Sequence, residues 1–253
     1  MKIVFHNKFY ESGYADNNAS AEGRMEAAMS MISSETHFDI VQPVAADEEI
    51  ISLAHSREYI DSVKHDSSLY YMARLSAGGA VEASNIAITG EAAFACIRPP
   101  GHHAWKDHSW GYCVFSNMGI ALLQLKQRHK IGSAFVLDFD AHTGDGTKDV
   151  LSQWKECFIL NPYPEGREGY LKLIEDYIKD IADVDIVAVC AGFDSYEKDA
   201  GRMLTTDDFY QIGLLMKKFS EKSAKGRRFA ILEGGYYLPD LGENVLAFCR
   251  GFQ

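Results

Sequence analysis

Seven short apolar runs, at 3–5, 38–44, 94–97, 134–138, 157–160, 185–190 and 229–232, constrain this fold more than any other feature of the chain. Several carry no polar residue, the pattern of strands covered on both faces of a parallel sheet. Between them lie segments of helical periodicity, clearest at Ala21–Ile32, Ser76–Ile88, Asn117–Arg128, Tyr170–Ile181 and Asp207–Ala224. Thr205-Thr-Asp-Asp208, ahead of the last, has the form of a capping box, with acids suited to the helix dipole. Strands alternating with helices give an α/β chain with one doubly wound parallel sheet in three layers. No Pro-, Gly- or Ser-rich linker and no repeat divides the chain, so residues 1–253 read as a single domain. Lys64–Tyr71 and the glycine-bearing Pro162–Gly169 read as surface loops and candidates for the rim of a site.

Open parallel sheets bind ligands at the carboxyl ends of their strands. The chemically suggestive residues follow that rule. His102 and His103 come after the 94–97 run, and Asp138, Asp140 and His142 end the 134–138 run. Asp194 follows 185–190, and Gly234-Gly-Tyr236 follows 229–232. Four strand ends are therefore expected to converge on one edge of the sheet.

Composition removes several classes. A formal net charge of −11 leaves no basic track for nucleic acid and predicts repulsion from anionic membranes. It suits a cationic substrate, although acidic surfaces are commonly just solvated. The five cysteines, Cys96, Cys113, Cys157, Cys190 and Cys249, form no C-x-x-C pair, and three lie in strand-like runs. Reduced cysteines acting as small hydrophobes point to the cytoplasm. Met-Lys-Ile-Val-Phe-His at the start lacks the core of a signal peptide, and no apolar run approaches membrane-spanning length.

The chemistry centres on Arg98-Pro-Pro-Gly-His-His-Ala104 and Asp138-Phe-Asp-Ala-His-Thr-Gly-Asp145. Two imidazoles behind a Pro-Pro-Gly bend make an acid/base apparatus that titrates near neutrality. The pair also suits plain hydrogen bonding, or a metal of its own. Asp140, His142 and Asp194 form a set of one imidazole and two carboxylates, which leaves coordination positions open for water and substrate. An isolated Asp-x-His turn is ordinary structural chemistry; here it caps an apolar strand beside another strand ending in aspartate. Catalytic zinc in such a set polarises a carbonyl and lowers the pKa of water to about 7. Asp138 is expected to partner His102, and Asp145 to partner His103, fixing the tautomers. Tyr236, presented by Gly234-Gly235, can donate to a carbonyl oxygen as charge develops on it, with Tyr237 a rival for the role. His6, His37, His55, His65, His108 and His129 show no such spacing and read as surface or structural, with His6 and His108 placed where they could reach the rim. Trp105 and Trp110 either wall the entrance or pack.

Arg98–Ala104, Gly111-Tyr-Cys-Val-Phe-Ser-Asn117, Asp138–Thr147, Ala191–Asp194 and Leu232-Glu-Gly-Gly-Tyr236 resemble, in order and spacing, the signature blocks of the histone deacetylase and acetylpolyamine amidohydrolase family. The resemblance covers roughly Phe94 to Leu241 and extends weakly to His55–Asp61. It implies an arginase-like fold with an eight-stranded parallel sheet. It also implies zinc, with iron as the alternative, at Asp140, His142 and Asp194. His103 becomes general base and then acid, His102 its electrostatic partner, and Tyr236 the ligand of the carbonyl oxygen. Gly111 and Tyr112 would line a channel for the acylated side chain. A potassium ion would sit against Asp138 and the backbone near Asp140 and His142.

The chain departs from the pattern at Thr143, where a second histidine is usual, and at Glu233, where glycine is common. Asn18–Arg24 stands where a His-Pro-Glu stretch is expected, and the segment after Asn161-Pro-Tyr-Pro164 is short. Such deletions should open the rim and bear on substrate choice more than on chemistry. The expected activity is hydrolysis of an N-acyl amide on a long amine, acetyl-lysine or an acetylpolyamine. Two alternatives stand beside it: an arginase-type ureohydrolase, which needs an Asp-x-Asp that Asp194-Ser-Tyr196 lacks, and a silent module that binds acyl-amines. Oligomeric state is not encoded in any motif.

Overall fold

A computed structural model describes residues 1–163 and 166–253. All seven apolar runs form strands: β1 Lys2–Val4, β2 Asp39–Val41, β3 Ala93–Ala95, β4 Ala134–Asp138, β5 Cys157–Leu160, β6 Ile186–Ala191 and β7 Arg228–Leu232. They make one sheet in the order β2-β1-β3-β7-β6-β4-β5, and every pairing is parallel. The described residues thus give seven strands rather than the eight implied by the resemblance. The central strands β3, β4, β6 and β7 are buried at every position, which explains why their sequences do not alternate.

Nine helices cover the sheet among the described residues. On one face lie α1 (Arg24–Ile32), α7 (Glu168–Lys179), α8 (Thr206–Ser223) and α9 (Leu238–Phe252). On the other, α4 (Ser67–Ala87), α5 (Asn117–Gln127) and α6 (Asp145–Leu151) pack together. The small helices α2 (Glu48–Ile51) and α3 (Arg57–Val63) lie outside them over a satellite core around Ile51, Ile60 and Phe115. The Lys64–Tyr71 loop is a correction: Ser67–Tyr71 is the first turn of α4, with the Asp66 carboxylate accepting from Ser68 N at 3.1 Å and Leu69 N at 3.0 Å. Of the Pro162–Gly169 segment, Pro164 and Glu165 lie outside the described residues, and Glu168 already belongs to α7. No described helix is long and apolar enough to cross a membrane.

β3, β7, β6 and β4 are consecutive neighbours in the sheet. The four strand ends marked by the sequence therefore open side by side.

Candidate active site

Beyond β4, the chain turns at Asp140-Ala-His142, and backbone amides aim both candidate carboxylates. Asp140 Oδ1 accepts from His142 N at 2.9 Å and Oδ2 from Gly234 N at 2.9 Å, while Asp194 Oδ1 accepts from Ala141 N at 3.0 Å. His142 Nδ1 stands 3.1 Å from Asp140 Oδ1 and 3.0 Å from Asp194 Oδ2. One ring nitrogen cannot satisfy two carboxylates, and Asp194 Oδ2 is buried without accepting a hydrogen bond. Donor atoms of all three residues lie within 4.8 Å of one another. One imidazole and two carboxylates fit a divalent cation of the zinc class. Burial and the neighbouring Asp140 charge push the Asp194 carboxyl up to about 6, whereas the nearby Asp140 and Asp194 carboxylates lift His142 to about 10. Such a set wants positive charge.

The histidine pair sits on the long loop after β3. Its anchor is Glu233 at the end of β7, fully buried, whose Oε2 accepts from Gly101 N at 2.7 Å and His102 N at 3.2 Å. Both expected carboxylate partners are in place: His102 Nδ1 meets Asp138 at 3.1 Å and His103 Nδ1 meets Asp145 at 2.8 Å. Burial opposes charge on His102, but Asp140 and Asp138 outweigh it and hold the ring well above its usual value. Burial and the charge of His102 together push His103 down against the pull of Asp145. The two rings are thus driven apart, one toward imidazolium and one toward neutral imidazole, with centroids 3.9 Å apart. His102, Cys113 and Glu233 also cluster within 4.8 Å. His102 Nδ1, Cys113 Sγ and Glu233 Oε2 are engaged with Asp138, His103 N and the two loop amides, so the cluster reads as an anchor, although Glu233 Oε1 is buried without a partner.

Tyr236 is presented by a glycine pair that no other residue could replace. A Cβ on Gly234 would lie 2.6 Å from Asp140 Oδ2 and 2.8 Å from Asp194 Cγ, and Gly235 has φ +123°. Burial pushes the Tyr236 phenol far above its usual value, so the hydroxyl stays a donor. Tyr237, the rival, turns toward Tyr196 and Lys198 instead.

These groups line one cavity of about 390 Å³. His102, His103, Asp140, His142 and Tyr236 face it, as do Gly111 and Tyr112; the Tyr112 ring stands edge-on to Tyr236 at 5.5 Å. Asp138, Asp145 and Asp194 stand behind them. Trp110 walls the cavity, lying 3.7 Å over the His103 ring and donating to Asp145 Oδ2 at 2.9 Å. His6 caps a short 3-10 turn and His108 pairs with Asp107 in solvent, so neither reaches the cavity.

Three contributors escaped the sequence reading. Arg24, in the Asn18–Arg24 stretch, is fully buried and donates to the carbonyls of Glu233 at 2.6 Å and Gly235 at 2.9 Å. Asp199 lines the cavity, and its Oδ2 accepts from Tyr236 N at 2.6 Å and Tyr237 N at 2.8 Å. Asn18 reaches the Tyr112 hydroxyl at 3.4 Å. None of the three carried a signal of its own, whereas Glu233, the anchor of the histidine loop, stood out as a departure from glycine.

Known proteins place the chain in a family. A probable deacetylase of Methanothermobacter thermautotrophicus is 27% identical, over 98% of this chain and 90% of its own length. A histone deacetylase-like amidohydrolase of Pseudomonas aeruginosa is 27% identical, over 83% of this chain and 70% of its own. The human polyamine deacetylase HDAC10 is also 27% identical, over 79% of this chain but only 39% of its own length. The crystal structure of the HDA15 HD domain superposes with a TM-score of 0.85 at 19% identity, covering 98% of this chain and 90% of that one, and shows the same fold. The histone deacetylase domain matches residues 18–170 and 160–252. This chain therefore belongs to the histone deacetylase family of metal-dependent amidohydrolases.

Proposed function

We propose that the whole chain, residues 1–253, is one catalytic domain that removes an acetyl or other short acyl group from an N-acylated long amine. The convergence of two His–Asp pairs, the Asp140–His142–Asp194 set and the Tyr236 phenol on one cavity carries this reading. Zinc, or iron in its place, would be held by those three residues and would supply a Lewis acid for the amide carbonyl and a water of lowered pKa. His103 Nδ1 is occupied by Asp145, which leaves Nε2 to take a proton from the attacking water. Tyr236 donates to the carbonyl oxygen as it gains charge. His103 then returns the proton to the leaving nitrogen as the C–N bond breaks, giving a free amine and a carboxylate. His102, held by Asp138, keeps positive charge beside the reacting centre.

A potassium ion would draw on Asp138 and the backbone around Asp140 and His142, in the turn after β4. Asn161 donates to the Asp138 carbonyl at 3.4 Å, and its own Oδ1 is buried without a partner. The ureohydrolase alternative is disfavoured: the Ser195 hydroxyl donates to Phe139 O at 2.6 Å and the Tyr196 hydroxyl to Asp240 at 2.8 Å, so neither adds a second metal ligand. The acidic surface and thiols without disulfides suit a cytoplasmic enzyme that binds neither nucleic acid nor membrane.

Zinc-loaded protein should release acetate from acetyl-lysine peptides or acetylated polyamines, and a panel of both classes identifies the amine. His103→Ala should lose roughly 2–4 orders of magnitude in kcat. Near-wild-type turnover by that variant would sink the mechanism, while metal-loaded protein that binds acyl-amines without turnover would favour the silent module.

A further inference from the structure

The geometry points to Asp199 as the residue that positions the Tyr236 phenol, by tying the loop of metal ligand Asp194 to the loop that carries the tyrosine. The inference rests on the hydrolase reading above. Two consecutive glycines precede Tyr236, and a glycine pair allows a wide range of backbone directions. Something outside the turn must select one. Arg24 holds the carbonyl side of this segment, through Glu233 and Gly235. Asp199 holds the amide side: one carboxylate oxygen takes the N–H groups of both Tyr236 and Tyr237, at 2.6 and 2.8 Å. Its other oxygen takes Ala200 N at 2.8 Å.

Those two amides lead into α9, at a helix N-terminus where N–H groups lack intrahelical acceptors and negative charge is favoured. Charge-assisted bonds of this kind are roughly twice as strong as neutral ones. The loop carrying Asp199 is pinned in turn to the metal site. Gly201 N donates to Asp194 O at 2.7 Å, and Leu204 N donates to Ser195 O at 2.8 Å. Asp199 thus ties the loop of Asp194, which would hold the cation, to the loop whose Tyr236 hydroxyl donates to the developing oxyanion. A phenol displaced by a fraction of an ångström still permits substrate binding but meets the developing oxyanion badly. The predicted signature is therefore in kcat.

The experiment compares zinc-loaded wild type, Asp199→Ala, Asp199→Asn, Tyr236→Phe and the Asp199→Ala/Tyr236→Phe double variant. It measures steady-state kinetics on one acetylated amine, bound zinc, and hydrogen exchange across residues 234–238. Asp199→Ala should lower kcat on the order of 10–100-fold, less than the roughly 10²–10³-fold for losing an oxyanion donor outright because the phenol is displaced rather than removed, with KM and zinc content nearly unchanged. Asp199→Asn, which keeps one acceptor oxygen, should fall between that variant and wild type, and it stands in if the alanine variant does not fold. Exchange at the Tyr236 and Tyr237 amides should accelerate. In the Tyr236→Phe background the alanine change should cost almost nothing further, because both act on one interaction.

A raised KM with unchanged kcat would make Asp199 a substrate contact and overturn the proposal. A loss fully additive with Tyr236→Phe would overturn it as well. If wild type itself turns over no acyl-amine, the hydrolase reading falls, and unchanged amide exchange in Asp199→Ala would refute the grip independently.

Discussion

His55 shows what burial does to one titratable side chain. It lies between the satellite core and the loop after the histidine pair, 3% exposed, and its Nε2 accepts from Ser116 N at 2.8 Å. Burial lowers its pKa from 6.5 to about 4. Between those values the unfolded chain binds a proton that the folded chain refuses, so stability is complete above pH 6.5 and drains away as pH falls toward 4. The loss should total about 3 kcal/mol by pH 4, read from urea unfolding at several pH values, and His55→Asn should flatten that slope. At this scale the sequence exposed the titratable pairs well. Asp138 and Asp145 were legible because a carboxylate near an imidazole in the chain has an obvious use. Arg24 and Asp199 were not, because each acts on backbone groups brought near by folding, and a backbone carbonyl or amide leaves no mark in sequence spacing.

Among the elements, α8 and α9 form the most extensive helix pair, and their contact explains why α9 was hard to read. Its glycines look like helix breakers. In the fold, a Cβ on Gly251 would lie 2.1 Å from Tyr210 O and 2.8 Å from Leu214 N, both in α8. Glycine is there so that two backbones can touch. Gly251→Ala, an improvement by intrinsic helix propensity, should instead destabilise the protein by about 1–3 kcal/mol through overpacking, measured by denaturant unfolding. The start of α8 was legible: the Asp208 carboxylate accepts from Thr205 N at 2.7 Å and anchors Arg167 at 2.6 Å. The first turn of α4 was not. Ser67-Ser68 and Tyr70-Tyr71 lack an apolar period, and only the Asp66 cap announces the helix.

For the molecule as a whole, metal binding and stability should be coupled, because Asp140 and Asp194 are buried and close. Zinc at one hundred times its dissociation constant stabilises by about 2.7 kcal/mol. Chelation should therefore lower Tm by roughly 5–10 °C in a chain of this size. Asp194→Asn should abolish that dependence while raising the Tm of metal-free protein, since it removes one of two repelling carboxylates; a metal-free variant melting below metal-free wild type would contradict this. The sheet itself was legible almost strand for strand, because wholly apolar runs have few alternatives. Its order was not, since pairing partners lie far apart in the chain. That order has a cost during synthesis. As the polypeptide emerges, β1–β3 and β4–β6 can each pair among themselves, yet the gap between them closes only when β7, at Arg228–Leu232, arrives to lie between β3 and β6. Until then the nascent protein holds two half-sheets with raw inner edges, and no cavity exists for an amine to enter.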